Sequence, residues 1–111
     1  MLLVQQPGST PVARFTASGE LDVFGALALR RGLHRAAGAG DTDLRVDLEG
    51  VTFVDASALG LLARTWRDLA AESGTTISLV SSSRSLRAMR RVAGLTKQLP
   101  DVAGSALRQY A

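Results

Sequence analysis

The sequence predicts an α/β domain: a mixed, mostly parallel β-sheet with helices packed against it, in the order β-β-α-β-α-β-α-(β)-(α). Three observations predict it. Short runs such as Leu44–Leu48 and Ile77–Leu79 alternate apolar and polar residues, the period of a strand with one buried face. Between them lies a long run from Leu59 whose apolar residues recur at helical spacing. The two patterns then take turns along the chain, which implies parallel pairing through helical crossovers.

Taken in order, Leu2-Leu3-Val4 is a short apolar start, and Pro7, Gly8, Ser9 and Pro11 supply turn chemistry. Ala13, Phe15 and Ala17 share one face of an extended segment from Val12 to Ala17, so the first two strands are expected to form a hairpin. Gly19-Glu20-Leu21-Asp22 is expected to break the second strand. A helix from about Phe24 to Ala37 follows, with Leu29 and Leu33 one turn apart and Ala26, Ala36 and Ala37 as compatible filler, ended by Gly38 and Gly40. Leu44–Leu48 is a strand, and Val51 and Phe53 repeat its alternation after Gly50.

The clearest helix runs from about Ser57 to Ser73. Leu59, Leu62, Ala63, Trp66, Leu69 and Ala70 form its apolar stripe, Arg64, Arg67, Asp68 and Glu72 its polar face, and Gly74 fits its end. Thr76 to Val80 alternates as a strand. Ser83 is placed to cap a helix over about Arg84–Ala93, stopped by Gly94. Leu99–Val102 reads as a short strand that Pro100 confines to a sheet edge, and Ser105–Tyr110 as a helical turn.

With 111 residues, 46% of them hydrophobic, the chain is sized for one domain from end to end. It has no Cys, which excludes a disulfide framework, a thiolate metal site and a Cys nucleophile. His34 is the single histidine, so sites needing two imidazoles are excluded and no nucleophile–base–orienter set can be assembled. No apolar run approaches the roughly 20 residues of a membrane span. Met1–Gln6 lacks the basic and apolar regions of a signal peptide, so a cytoplasmic location is expected. Thirteen Lys and Arg face ten Asp and Glu, a net charge of +3. Lys97 is the only lysine, and the one Trp, one Tyr and three Phe sit outside the basic clusters, which argues against direct nucleic-acid binding. No glycine-rich phosphate loop or other cofactor motif is present.

In parallel sheets, ligands and partners meet the loops at the carboxyl ends of strands. Two such loops stand out, Val54–Ala58 and Ser81–Ser83. The first belongs to the stretch Val46-Asp47-Leu48-Glu49-Gly50-Val51-Thr52-Phe53-Val54-Asp55-Ala56-Ser57-Ala58-Leu59-Gly60-Leu61-Leu62. It resembles the signature of the STAS domain, the fold of anti-sigma factor antagonists, which reads D-L-x-x-V-x-x-[IV]-D-[SA]-S-G-L-G-x-L here. Gly19-Glu20-Leu21-Asp22 is similar to that family's G-E-L-D, and Met89–Leu95 to its late helix and following G-L. The resemblance runs from about Phe15 to Val102.

The resemblance implies a non-enzymatic switch. Unphosphorylated, such an antagonist binds an anti-sigma factor and frees the sigma factor. The anti-sigma factor, often a serine kinase, phosphorylates the motif serine and is released, and a phosphatase resets the cycle. Ser57 holds that position. It stands where a strand leads into an amphipathic helix, so its hydroxyl is expected at the exposed sheet edge. Asp22, Asp55, Ala56, Ala58 and Leu59 are the further expected partner contacts, with Asp55 and Asp22 placed to orient the hydroxyl. Read locally, Ser57 is equally a helix cap. Ala58 replaces the family's Gly, and its methyl is expected to narrow a kinase's access to Ser57.

The remaining features have plainer readings. Arg84, Arg87 and Arg91, with Arg90 adjacent, form a solvated face of the late helix, or a dock for an acidic partner or an anion. Ser81–Ser83 offers a second phosphosite, although a cap at Ser83 accounts for it. Trp66 belongs to the apolar stripe, with a partner anchor as the alternative. His34 is expected to be an exposed helix residue. Other functions open to the same fold are a scaffold subunit of a stress-signalling complex or of a lipid-transport ATPase, and a small-ligand sensor near the Arg-bearing helix.

Overall fold

A computed structural model describes residues 1–8, 10–72 and 74–100. Among them, the order is β1 (Leu2–Gln6), β2 (Val12–Leu21), α1 (Val23–Gly38), β3 (Asp43–Val54), α2 (Ala56–Ala70), β4 (Thr76–Ser82) and α3 (Arg84–Val92). The sheet order is β1-β2-β3-β4, with β1 antiparallel to β2 and the other pairs parallel. The expected mixed α/β architecture is therefore present.

Alternation decides which sheet face meets the helices. Ala13, Phe15 and Ala17 of β2 and Leu44, Val46 and Leu48 of β3 are buried, while Arg14 is exposed. Leu29 and Leu33 of α1, Leu59, Leu62, Trp66 and Leu69 of α2, and Leu86 of α3 complete one continuous core. Ala70, expected in the stripe of α2, is exposed. Each fully buried Leu contributes on the order of 1.5–3 kcal/mol of hydrophobic stabilisation, so this layer fixes the position of the three helices against the sheet.

The break expected after Ala17 is not a break. β2 continues through Gly19 and Glu20 to Leu21, because its pairing with β3 absorbs the irregularity. The register shifts between Thr16 and Ser18 and again between Gly19 and Glu20, and Gly19 takes a φ of 88°. Such a bulge bends a strand without ending it. Likewise β3 is one strand through Gly50. A Cβ there would stand 2.8 Å from the Ser18 Cβ, so glycine is what lets the two strands approach.

β4 ends opposite Leu48, six residues before β3 ends at Val54. Beyond that level β2 and β3 run on as a pair to Leu21 and Val54, which are register partners. At about 3.3 Å per residue the extension reaches roughly 20 Å past the end of β4.

Ser83 caps α3 as expected, accepting from the Leu86 N–H at 3.2 Å. Past Gly94 the chain turns back, and the Arg90 guanidinium donates to the Leu99 carbonyl at 2.7 Å. Leu99 and Pro100 are not in a strand, contrary to expectation. The remainder of that expected strand, and the expected turn over Ser105–Tyr110, lie outside the described residues.

Candidate functional site

The site grows from two matching strand-to-helix turns, Leu21-Asp22-Val23-Phe24-Gly25 and Val54-Asp55-Ala56-Ser57-Ala58. Leu21 and Val54 end their strands at one level, and the Asp55 N–H donates to the Leu21 carbonyl at 3.3 Å. An aspartate in extended backbone follows each strand. The Asp22 carboxylate accepts from the Gly25 N–H at 2.8 Å, and the Asp55 carboxylate from the Ala58 N–H at 2.7 Å. Both satisfy a backbone donor that the first turn of a helix leaves open, and both put negative charge at the positive end of the helix dipole. Two helix N-termini thus open side by side on one edge of the sheet.

Ser57 is the second residue of α2 and is exposed. Its hydroxyl makes no hydrogen bond among the described residues. Three expectations change as a result. Ser57 is not the cap, because Asp55 is, and α2 starts one residue earlier than expected and ends at Ala70. Asp55 spends an oxygen on Ala58 and does not bond the Ser57 hydroxyl. Ala58 and Leu59 are wholly buried, so neither offers a side chain to a partner, and the Ala58 methyl faces the core instead of obstructing Ser57. The phase of the helix explains this. Ala58 and Leu59 share the inward face with Leu62, whereas Ala56 and Ser57 point outward. Asp22 is exposed and Asp55 half-buried.

Two residues at this edge were not expected there. Phe24 is 75% exposed and Phe53 is 55% exposed. Phe24 holds the same place on α1 that Ser57 holds on α2, two residues past the capping aspartate. Phe53 precedes Val54, and since Val54 is buried its neighbour turns outward.

Elsewhere, Arg84, Arg87 and Arg91 are exposed, as expected of a solvated face, whereas the adjacent Arg90 turns inward to Leu99. Arg87 also donates to the Ser82 carbonyl. Trp66 is buried in the core, and its indole helps to line an open cavity of about 630 Å³ with Ala63, Arg64, Ile77, Leu95 and Pro100. His34 is half-buried, not exposed, because it lies between the inward Leu33 and the outward Arg35 of α1. Among the described residues, no group of three His, Cys, Asp or Glu is placed to hold a metal, and no helix is long and apolar enough to cross a membrane.

A family model described as "Mlab, STAS domain" matches residues 4–104. The chain belongs to the STAS domain family. Solved STAS-like structures agree with its fold. SpoIIAA, an anti-sigma factor antagonist in its unphosphorylated form, superposes with a TM-score of 0.72 at 22% identity, covering 98% of this chain and 95% of that one. An anti-sigma factor antagonist from Mycobacterium paratuberculosis gives 0.73 at 22% identity over 98% and 93% of the two chains. The Bacillus cell fate determinant SpoIIAA in its phosphorylated form gives 0.68 at 21% identity over 99% and 100%. No curated protein matches the chain. In this STAS domain Ser57 stands on the first turn of α2 with no hydrogen bond among the described residues, and Asp22 and Asp55 at the same edge are committed to capping.

Proposed function

We propose that this STAS domain is an anti-sigma factor antagonist: it binds an anti-sigma factor while Ser57 is unmodified and is released when Ser57 is phosphorylated. The observation that carries this reading is the exposed Ser57 hydroxyl, without a hydrogen bond among the described residues, at the level where β2 and β3 end. Phosphorylation adds about −1.5 to −2 charges and three acceptor oxygens. At the second position of a helix the free N–H groups and the dipole tolerate that anion, so the fold is expected to survive. The effect then falls on the docked partner, through bulk and the cost of desolvating the phosphate. Consistent with this, SpoIIAA superposes on this chain in both its unphosphorylated and its phosphorylated form.

The partner in this reading is an anti-sigma factor that is itself a serine kinase, with a phosphatase to reset the cycle. The domain acts in the cytoplasm, is not an enzyme, and sets sigma-factor-dependent transcription without touching nucleic acid or inserting in a membrane. The test is to incubate it with each purified anti-sigma kinase of its source genome and ATP, map the modified residue, and measure binding by biolayer interferometry. Modification at Ser57, retained binding of Ser57→Ala and lost binding of Ser57→Glu support the reading. Modification only elsewhere, or undiminished binding of Ser57→Glu, overturns it. A second reading, a scaffold subunit of a stress-signalling complex or of a lipid-transport ATPase, is favoured by the matching family model, whose description names Mlab and not an anti-sigma factor antagonist. Recovery of a transporter ATPase in a pull-down would support that alternative.

A further inference from the structure

We infer that Phe24 and Phe53 are the apolar anchors of the partner interface around Ser57, and that the partner's matching face is an apolar patch bordered by basic side chains. The assignment rests on the antagonist reading above and adds to it the residues that hold the partner and the chemistry they select.

Phe24 and Phe53 are the exposed aromatics among the described residues, since Phe15 and Trp66 are buried. A single exposed apolar residue needs no explanation. These two lie at the same edge as Ser57: one at the equivalent position of the neighbouring helix, the other two residues before Asp55. Aromatic rings supply large contact area at low entropic cost and are enriched among the residues that dominate interface energies.

The charge of the edge selects the partner. The chain as a whole is cationic, at +3, yet residues 19–25 and 52–58 contain no Lys or Arg. Glu20 and Asp22 are exposed there and Asp55 is half-buried; the α-ammonium of Met1, whose Cα lies against Gly19, offsets one of these three acids and leaves the edge negative. The arginines of α3 begin where β4 ends, six residues short of the β3 terminus, and Arg30 is paired with Asp68 at 3.3 Å. An acidic rim around aromatic anchors is complementary to a basic rim around an apolar patch.

This arrangement fixes how a phosphate on Ser57 would be read. Against a basic partner, added negative charge alone would strengthen association. Release must therefore come from the bulk of the phosphate and from enclosing a strongly hydrated dianion beside two aromatic rings, a steric and desolvation cost and not a charge repulsion. High salt screens charge but does not remove that cost. Salt is expected to slow association of the unmodified domain and to leave the phosphorylated domain unbound.

The experiment uses the anti-sigma factor that the wild-type domain selects in the preceding assay, with Phe24→Ala, Phe53→Thr, their double variant and Val92→Ala as a control. Val92 is the exposed apolar residue at the far end of α3. The expected result is about tenfold weaker binding for each single variant, about a hundredfold for the double, and a change within twofold for Val92→Ala. All four should melt close to wild type. Amide exchange of the unaltered protein gives a second readout, with protection of residues 20–25 and 52–57 expected when the partner is added. Wild-type affinity in the double variant, or no protection of those segments, overturns the anchor assignment alone. Absence of any anti-sigma partner for the wild type overturns the antagonist reading first and the anchors with it.

Discussion

Replacing Asp55 separates what its carboxylate does as a hydrogen-bond acceptor from what it does as a charge. The 2.7 Å bond from the Ala58 N–H is an N-cap, and loss of such a cap costs about 1 kcal/mol, within roughly 0.5–2. The negative charge at the dipole adds about 0.3–1 kcal/mol. Asn keeps the acceptor and loses the charge, whereas Ala loses both. Unfolding entropy near 2.1 cal/mol/K per residue over 111 residues is about 0.23 kcal/mol/K, so 1 kcal/mol moves Tm by roughly 4 °C. Asp55→Asn should therefore melt about 1–4 °C below wild type, and Asp55→Ala about 5–9 °C below. Circular dichroism at low and high salt is the assay. The gap between Asn and wild type should shrink with salt, and the gap between Ala and Asn should not. An Asn variant as unstable as the Ala variant, or an Ala variant that melts like wild type, would refute the capping role.

Three further outcomes follow from the packing. Gly50→Ala drives a methyl to 2.8 Å from the Ser18 Cβ and should cost about 1–3 kcal/mol in urea unfolding, with partial rescue by Ser18→Gly. Leu62→Ala empties a fully buried position on α2 and should cost about 2–5 kcal/mol by the same measurement. Arg90→Met removes the donor to the Leu99 carbonyl and should cost about 1–3 kcal/mol, with faster amide exchange at Leu99, whose N–H donates to Leu95.

Periodicity made most of the fold legible. The stripe from Leu59 to Leu69 and the alternation over Ala13–Ala17 and Leu44–Leu48 are buried as read. What was not legible depended on partners distant in sequence. Gly19-Glu20 has the chemistry of a turn, and only pairing with Val51 and Phe53 of β3 keeps it in a strand. Val51 and Phe53 alternate like one face, yet Val51 and Val54 are the buried pair, because the register with β2 slips by one residue at Thr52, between the Gly19–Val51 and Glu20–Phe53 pairings. That slip is what exposes Phe53.

The capping choice was also beyond local reading. Asp55 and Ser57 are both good caps, two residues apart, and the level of the Leu21–Val54 pairing selects the aspartate. The burial of Ala58 and Leu59, by contrast, was within reach. Leu59 already belonged to the apolar stripe, and a motif read as one continuous surface overrode the helical phase that divides it. Nothing local to Phe24 marked it as a surface residue. Its match to Ser57 emerges only when the two turns are compared in space.

Because Asp55 closes the first turn of α2, the serine two residues on has no architectural duty. Threonine, alanine or an acidic side chain at position 57 should leave melting nearly constant, while under the proposed function the same series should grade the affinity for the anti-sigma factor. If Ser57 is the switch proposed above, a control point freed in this way can be rewritten without unsettling the frame that displays it.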